Sequence, residues 1–315
     1  MSTIIGTLAQ QNLYLQSIGQ FQTQASTLES EVATGVKSTQ LSGLGATAGQ
    51  LTDLQSEISQ NQSYINTVTT VQQNVQESTT ALSSIENIAS NLASGLQQSA
   101  YATPPTIQST ASQLLQEISD LLNQQGANGY IFSGSQTGTA PFDASGLPNP
   151  GTLTAAVSGA PPSGYYAGND TAAQAQVDTN LNITYGVTAD NPAIENVVRV
   201  LNFLANLPAG SPSSSNPADE ANVTQAQDLL NQGVSGLQQI IANQSGQTAE
   251  LNQVQQEHQN AINLAQQSLG TAENVDPATV ITQLNTLETN MQASYTAISD
   301  LQKLSLVNYL STPVG

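Results

Sequence analysis

Apolar residues recur at steps of three, four and seven along both ends of the chain. Near the start the series runs Leu8, Leu15, Ile18, Phe21, Ala25, Leu28 and Val32. A stronger series fills about 46–100, with Leu51, Leu54, Ile58, Ile65, Val68, Val71, Val75, Leu82, Ile85, Ala89, Leu92 and Leu96. This spacing lays one narrow apolar stripe along an α-helix and is the seam of a coiled coil. A third helix is predicted after Pro104-Pro105, carrying Ile107, Leu114, Leu115, Ile118, Leu121 and Leu122. From about 220 to 269 the seam returns as Val223, Ala226, Leu230, Val234, Leu237, Ile241, Thr248, Leu251, His258, Ile262, Ala265 and Leu269. A last helix is predicted from Pro277, behind Asp276, with Val280, Leu284, Leu287, Met291, Ile298 and Leu301. Proline in a first helical turn gives up no hydrogen bond.

Proline placement supports the same division. Residues 1–103 and 218–276 hold none, and ten of the 13 lie between Pro104 and Pro212. Proline inside a helix costs about 3 kcal/mol, so the Pro-free ends permit long helices. The stretch 128–190 is rich in Gly, Pro, Tyr and Phe. Its run Leu181-Asn182-Ile183-Thr184-Tyr185 alternates apolar with polar, the pattern of a half-buried strand. A short helix is predicted around 192–207, then a linker from Pro208 to Pro217 with three consecutive serines.

Long helices with narrow stripes cannot cover those stripes alone, so the two arms are expected to pair. The predicted fold is mainly α: a long antiparallel coiled-coil rod from paired N- and C-terminal arms, with a small β-containing insertion in the middle. The expected divisions are terminal helices at 1–45 and 271–315, a helical rod at 46–127 and 218–270, and the insertion at 128–217.

Charge narrows what such a chain can do. Only 8% of its 315 residues are Asp, Glu, Lys or Arg, against about 25% in an average soluble protein. Three are basic (Lys37, Arg199 and Lys303) and 22 are acidic, for a formal net charge of -19. Three cations cannot neutralise a row of phosphates or hold an anionic lipid surface, which argues against nucleic acid and membrane as partners. With no Cys and one His, His258, disulfides, thiol catalysis and Cys- or His-rich metal centres are excluded. The first residues lack the basic and apolar regions of a signal peptide, and no run approaches the ~18–20 apolar residues of a membrane span. A cytosolic protein, or one exported by another route, is expected.

Three stretches carry a resemblance: GYIFSGSQTGTAPF at 129–142, YYAGNDTAAQAQVDTNLNITYGVTADNPAIENVVR at 165–199, and LSLVNYL at 304–310. Together with the paired-arm pattern, they resemble the bacterial flagellins and the related hook-associated proteins of the hook–filament junction. The third stretch is similar to the Leu-Ser-Leu-x-Asx-Tyr-Leu tail of the junction group. The turn Thr34-Gly35-Val36-Lys37-Ser38 also matches the family, whereas 39–50 lacks the family's Pro-Ser-Asp-Asp segment. The resemblance implies a secreted structural subunit of the bacterial flagellum that joins hook to filament by packing its terminal helices. It implies unfolded export through the flagellar type III apparatus, terminal helices that order on assembly, and no cofactor. Expected partners are further copies, other hook-associated proteins, flagellin and an export chaperone. A flagellin-type filament subunit is the alternative within the class. A secreted adhesin or type III tip-like protein is the alternative outside it.

The candidate subunit-interface residues lie on the terminal helices: Ile4, Leu8, Leu15, Ile18, Leu28, Leu284, Met291, Ile298, Leu301, Leu306 and Leu310. His258, on the seam beside Glu257, reads as a polar layer setting helix register, or else as a pH switch or metal ligand. Asp219-Glu220 follow Pro217 at a helix start, where acids complement the dipole. Asp143, Asp170, Asp178 and Asp190 lack calcium-loop spacing and read as turn acids. The Tyr and Phe of the middle are expected to form a small core of the insertion. No nucleophile, base and orienting group can be named together, so no enzyme is expected.

A charge of -19 on every subunit repels neighbours at neutral pH. Carboxylates take up protons as the pH falls toward about 4. Assembly at low salt, followed by light scattering, is therefore expected to be stronger near pH 4 than near pH 8. Equal assembly at both would show that repulsion between carboxylates does not limit packing.

Overall fold

The computed structural model describes residues 2–37, 47–99, 104–147, 153, 163–208 and 210–310; for 2–8, 47, 99, 104, 105, 163 and 304–310 it describes the backbone alone. Six α-helices are described: α1 (Ser2–Thr34), α2 (Thr47–Ser99), α3 (Pro104–Leu122), α4 (Pro192–Ala205), α5 (Pro217–Glu273) and α6 (Pro277–Leu310). Two antiparallel hairpins lie between α3 and α4. One is β1 (Gln125–Gly126) with β2 (Gly129–Tyr130), the other β3 (Ala173–Asp178) with β4 (Leu181–Tyr185). The mainly α fold with a small β part agrees with the periodicity. Two compact units divide the chain: Met1–Ser59 with Ile262–Gly315, and Gln60–Ala261.

In the first unit α1 packs on α6. The pair is antiparallel: Gln22 Nε2 donates to Tyr295 Oη at 3.4 Å, while Thr27 and Leu28 share a groove with Gln283 and Leu287. Ile18, Ala25, Val280, Leu287 and Ile298 are buried. The turn after α1 is held to the α5–α6 connection. Gly35 takes φ +76°, a left-handed conformation that glycine adopts without strain. Lys37 N donates to the Glu273 carbonyl at 2.8 Å, and Val275 N donates to the Gly35 carbonyl at 3.1 Å. Lys37 Nζ caps the Ala272 carbonyl at 2.8 Å. A cation at a helix C-terminus meets the negative end of the dipole. Pro277 begins α6, and Asp276 accepts from Ala278 N and Thr279 Oγ1.

In the second unit α2 and α5 are joined by amide and hydroxyl side chains and by one carboxylate, Glu86. Thr69 is paired with Gln255, Gln72 with Asn252, Thr79 with Gln244 and Glu86 with Gln238. Partner numbers fall as positions rise, so the two helices run antiparallel. Val68, Val71, Val75, Leu251 and Val254 form one apolar layer, and hairpin β3–β4 sits on it through Val177 and Ile183. The spacing put Thr248 on this seam, but Thr248 is half-buried, whereas Gln244, four residues earlier, is fully buried. Its amide is satisfied on both atoms: Nε2 donates to Ser78 Oγ at 2.9 Å, and Oε1 accepts from Thr79 Oγ1 at 2.8 Å.

The other core of this unit corrects one expectation. Phe132, Phe142 and Tyr165 close no core of their own. They join Leu82, Ile85, Ile118, Leu122, Leu201, Leu204 and Leu230 in one cluster drawn from α2, α3, α4 and α5. A segment this small buries too little apolar surface to stand alone. Helix α4 is its centre, with Asn191 capping Ala193 N and Pro192 in the first turn. The approach of α5 is close because Gly233 is small. A Cβ there would lie 2.8 Å from Val197 Cγ2 and 3.0 Å from the Ala193 carbonyl.

Gln244→Ala leaves a gap and strips Ser78 Oγ of its donor, at an expected cost of about 1–3 kcal/mol. Gln253→Ala, on the exposed face, is expected to stay within about 0.5 kcal/mol of the parent. Urea denaturation followed by circular dichroism measures both; equal effects would show that the buried amide contributes nothing special.

Candidate functional site

The two arms of the first unit hold the sequence-derived interface residues, and the structure sorts them. Ile18 and Ile298 are buried inside the α1–α6 pair, while Leu28, Leu284, Met291 and Leu301 are half-buried along its edges. Leu15 is 52% exposed. The side chains of Ile4, Leu8, Leu306 and Leu310 lie outside the described residues. Val32, expected on the seam, is exposed. A helix pair covers only the facing strip of each member, so much of the outer surface stays open. That open surface adds residues the seam reading passed over: Leu13 at 63%, Ile281 at 46% and Tyr295 at 50% exposed. Ile281 and Tyr295 are two heptads apart, so a second, weaker apolar line on α6 was the available signal.

In the second unit the 129–142 and 165–199 stretches are knotted together. Asn169 N donates to the Ser133 carbonyl at 3.1 Å, and Asn169 Oδ1 accepts from Ser135 N at 2.9 Å. Tyr166 Oη donates to the Asn169 carbonyl at 2.7 Å. Ala189 N donates to the Phe132 carbonyl at 2.9 Å, and Tyr165 Oη donates to the Ala189 carbonyl at 3.0 Å. Gly134, at φ +67°, lies so close to the Asn169 carbonyl that no Cβ fits. The Gly, Asn and Tyr of these motifs therefore serve as docking parts for two loops. LSLVNYL lies in the last turns of α6, with its side chains outside the described residues.

Ionisable groups collect behind this knot. Glu195 and Arg199, one turn apart on α4, are buried and lie 3.5 Å from each other. Burial pushes the Glu195 carboxyl up, against the pull of the Arg199 guanidinium. Burial likewise raises the Tyr165 and Tyr166 hydroxyls. Asp170 is raised because its carboxyl hydrogen-bonds that of Asp190, with their mutual repulsion adding to the effect. Asp143 and Asp276 go the other way, held down by Ser145 and Thr279 respectively. The raised groups support folding below their ordinary range and lose that support as pH rises. The lowered pair support folding above that range and lose it as pH falls.

Two grooves, of about 380 Å³ between α1 and α6 and about 370 Å³ between α2 and α3, are lined by Leu, Ile, Gly, Thr, Gln and Asn without one ionisable side chain. Among the described residues no three Asp, Glu or His side chains gather as metal ligands. No described helix is long and apolar enough to cross a membrane.

The chain matches no protein-family profile and no curated protein. Solved structures do match it. One is assigned as a flagellar hook-associated protein from Vibrio parahaemolyticus; it is 15% identical at a TM-score of 0.56, covering 72% of this chain and 97% of that one. Another is FlgL of Bacillus cereus, 14% identical at a TM-score of 0.40, covering 72% of this chain and 98% of that one. The Vibrio protein shares the fold of this chain.

Asp190→Asn removes the repulsion with Asp170. It is expected to raise the melting temperature at about pH 7 and to have less effect near pH 4, where carboxyl groups in general begin to take up protons. Equal shifts at the two pH values, by differential scanning calorimetry, would contradict the coupling.

Proposed function

We propose that this chain is a structural, non-catalytic subunit of the bacterial flagellum that joins hook to filament. In this reading α1 and α6 pack against neighbouring subunits in an axial assembly. The observation that carries the proposal is the coincidence of motif and fold. The stretches 129–142 and 165–199, which resemble the junction proteins, form one knot, on a fold shared with a flagellar hook-associated protein. The exposed apolar residues of the terminal helix pair supply surface for neighbours. The partners are further copies, other hook-associated proteins and flagellin, with an export chaperone before secretion, and the place of action is the extracellular flagellum.

Gene deletion discriminates within the class. Loss of a junction subunit is expected to leave hooks capped by no filament, with flagellin released into the medium. Bare hooks without released flagellin would assign the chain to the filament instead. Removing residues 1–33 or 278–315 is expected to abolish incorporation into flagella while circular dichroism and near-native melting of the remaining unit persist. Incorporation of either truncated chain at the parent level would overturn the role given to α1 and α6.

A further inference from the structure

His258 is 5% exposed and sits on α5 where three elements meet. Its Nδ1 lies 2.7 Å from Asn61 Oδ1 on α2, and its Nε2 lies 2.7 Å from the Val177 carbonyl oxygen on β3. The ring stacks on Tyr64 of α2, with centroids 5.1 Å apart and planes at 27°. The Tyr64 hydroxyl in turn comes within 3.4 Å of Thr179 Oγ1, in the turn of the hairpin. The Val177 carbonyl is available because the ladder slips there. Gln176 pairs with Asn182 and Asp178 with Leu181, so Val177 is the extra residue of a bulge. A bulge strands a backbone group, and a stranded group inside the protein needs a partner.

The donor and acceptor count then says which form of the ring fits. A carbonyl only accepts, so Nε2 must carry a hydrogen. A neutral ring would leave Nδ1 bare and in need of a donor, whereas a charged ring has a second N–H to give. Asn61 turns its carbonyl oxygen, not its NH2, toward Nδ1. That is the complement of imidazolium. Ionisable groups also lie nearby in sequence on each packed segment. α2 brings Glu57 and Tyr64, the hairpin brings Asp178, and α5 brings Glu257, while Lys37, Arg199 and Lys303 all lie on other segments.

We propose that His258 is a proton-operated clasp. The charged ring ties α2 to the bulge of β3 and holds hairpin β3–β4 against the α2–α5 pair. Loss of the proton breaks the bond to Asn61 unless that amide turns over, and the hairpin loosens. Imidazole ordinarily changes charge between about pH 5 and 8. The clasp is closed while both ring nitrogens carry a hydrogen to give to Asn61 and Val177, and it opens when the Nδ1 hydrogen is lost. The clasp belongs to the α2, α5 and hairpin contact and does not require the flagellar role.

The test is NMR on the full chain labelled with 15N in the imidazole, from about pH 4.5 to 8. Both ring nitrogens are expected to show imidazolium shifts on the acid side. Amide protection of β3 and β4, corrected for intrinsic exchange, is expected to fall about tenfold as the ring titrates, since hydrogen bonds to charged groups are the stronger kind. Asn61→Asp puts a fixed acceptor at Nδ1 and is expected to move the titration upward by about one pH unit or more. His258→Gln is expected to retain the fold and flatten the pH dependence of hairpin protection. A ring that stays neutral throughout, hairpin protection that is flat across the titration, or an unchanged pH slope in His258→Gln would each overturn the clasp.

Discussion

An apolar stripe one side chain wide, on a helix of 53 or 57 residues, leaves water only when another stripe covers it. The chain meets this constraint by bringing residues from its first third against residues from its last. Val68, Val71 and Val75 close against Leu251 and Val254, and the α1 seam closes against that of α6. Other features of both units follow from those closures. The hairpin β3–β4 has an apolar floor to rest on only because the two helices have made one. Phe132, Phe142 and Tyr165 of the middle segment are buried because α2, α3, α4 and α5 converge around them.

The near absence of charge shapes how the helices recognise each other. Where many helix pairs set register with Lys and Glu, this one relies mainly on Gln, Asn, Ser and Thr, with Gln72, Gln244 and Gln255 bonded to neutral partners across the α2–α5 seam. Neutral amides and hydroxyls keep their hydrogen bonds over a wide pH range, and salt screens them little. Many helical Ser and Thr also turn back to the carbonyl four residues earlier, as Thr52 does to Ala48 and Thr70 to Asn66. The three cations have distinct settings. Lys37 caps the end of α5, Arg199 is buried beside Glu195, and Lys303 lies exposed beside Asp300. Few carboxylates are then neutralised by a partner.

Periodicity made the helices legible. The boundaries near Pro104, Pro192, Pro217 and Pro277 could be placed from residue type, because proline is tolerated in a first turn and almost nowhere else in a helix. The strand at Leu181–Tyr185 was legible from its alternation. The docking knot was visible only as a likeness to other chains. Nothing local says that Asn169 will meet Ser133, or that Tyr165 will reach Ala189. Gln244 went unnoticed because an amide in an apolar seam looks like an interruption until its partners, Ser78 and Thr79, lie opposite.

The sequence by itself determined the long helices, the need for the two arms to meet, the strand near 181–185 and the exclusion of whole classes of chemistry, since all of these follow from residue type and spacing along a single element. The tertiary structure alone decided what meets what. It placed Ile18 and Ile298 inside the terminal pair and left Leu13, Leu15 and Tyr295 outside it. It merged the middle segment into the helical core and turned His258 from a seam residue into a link among three elements. The physical reason is that burial and hydrogen bonding belong to pairs of groups. A pair far apart in sequence exists only after the register between the arms has been set.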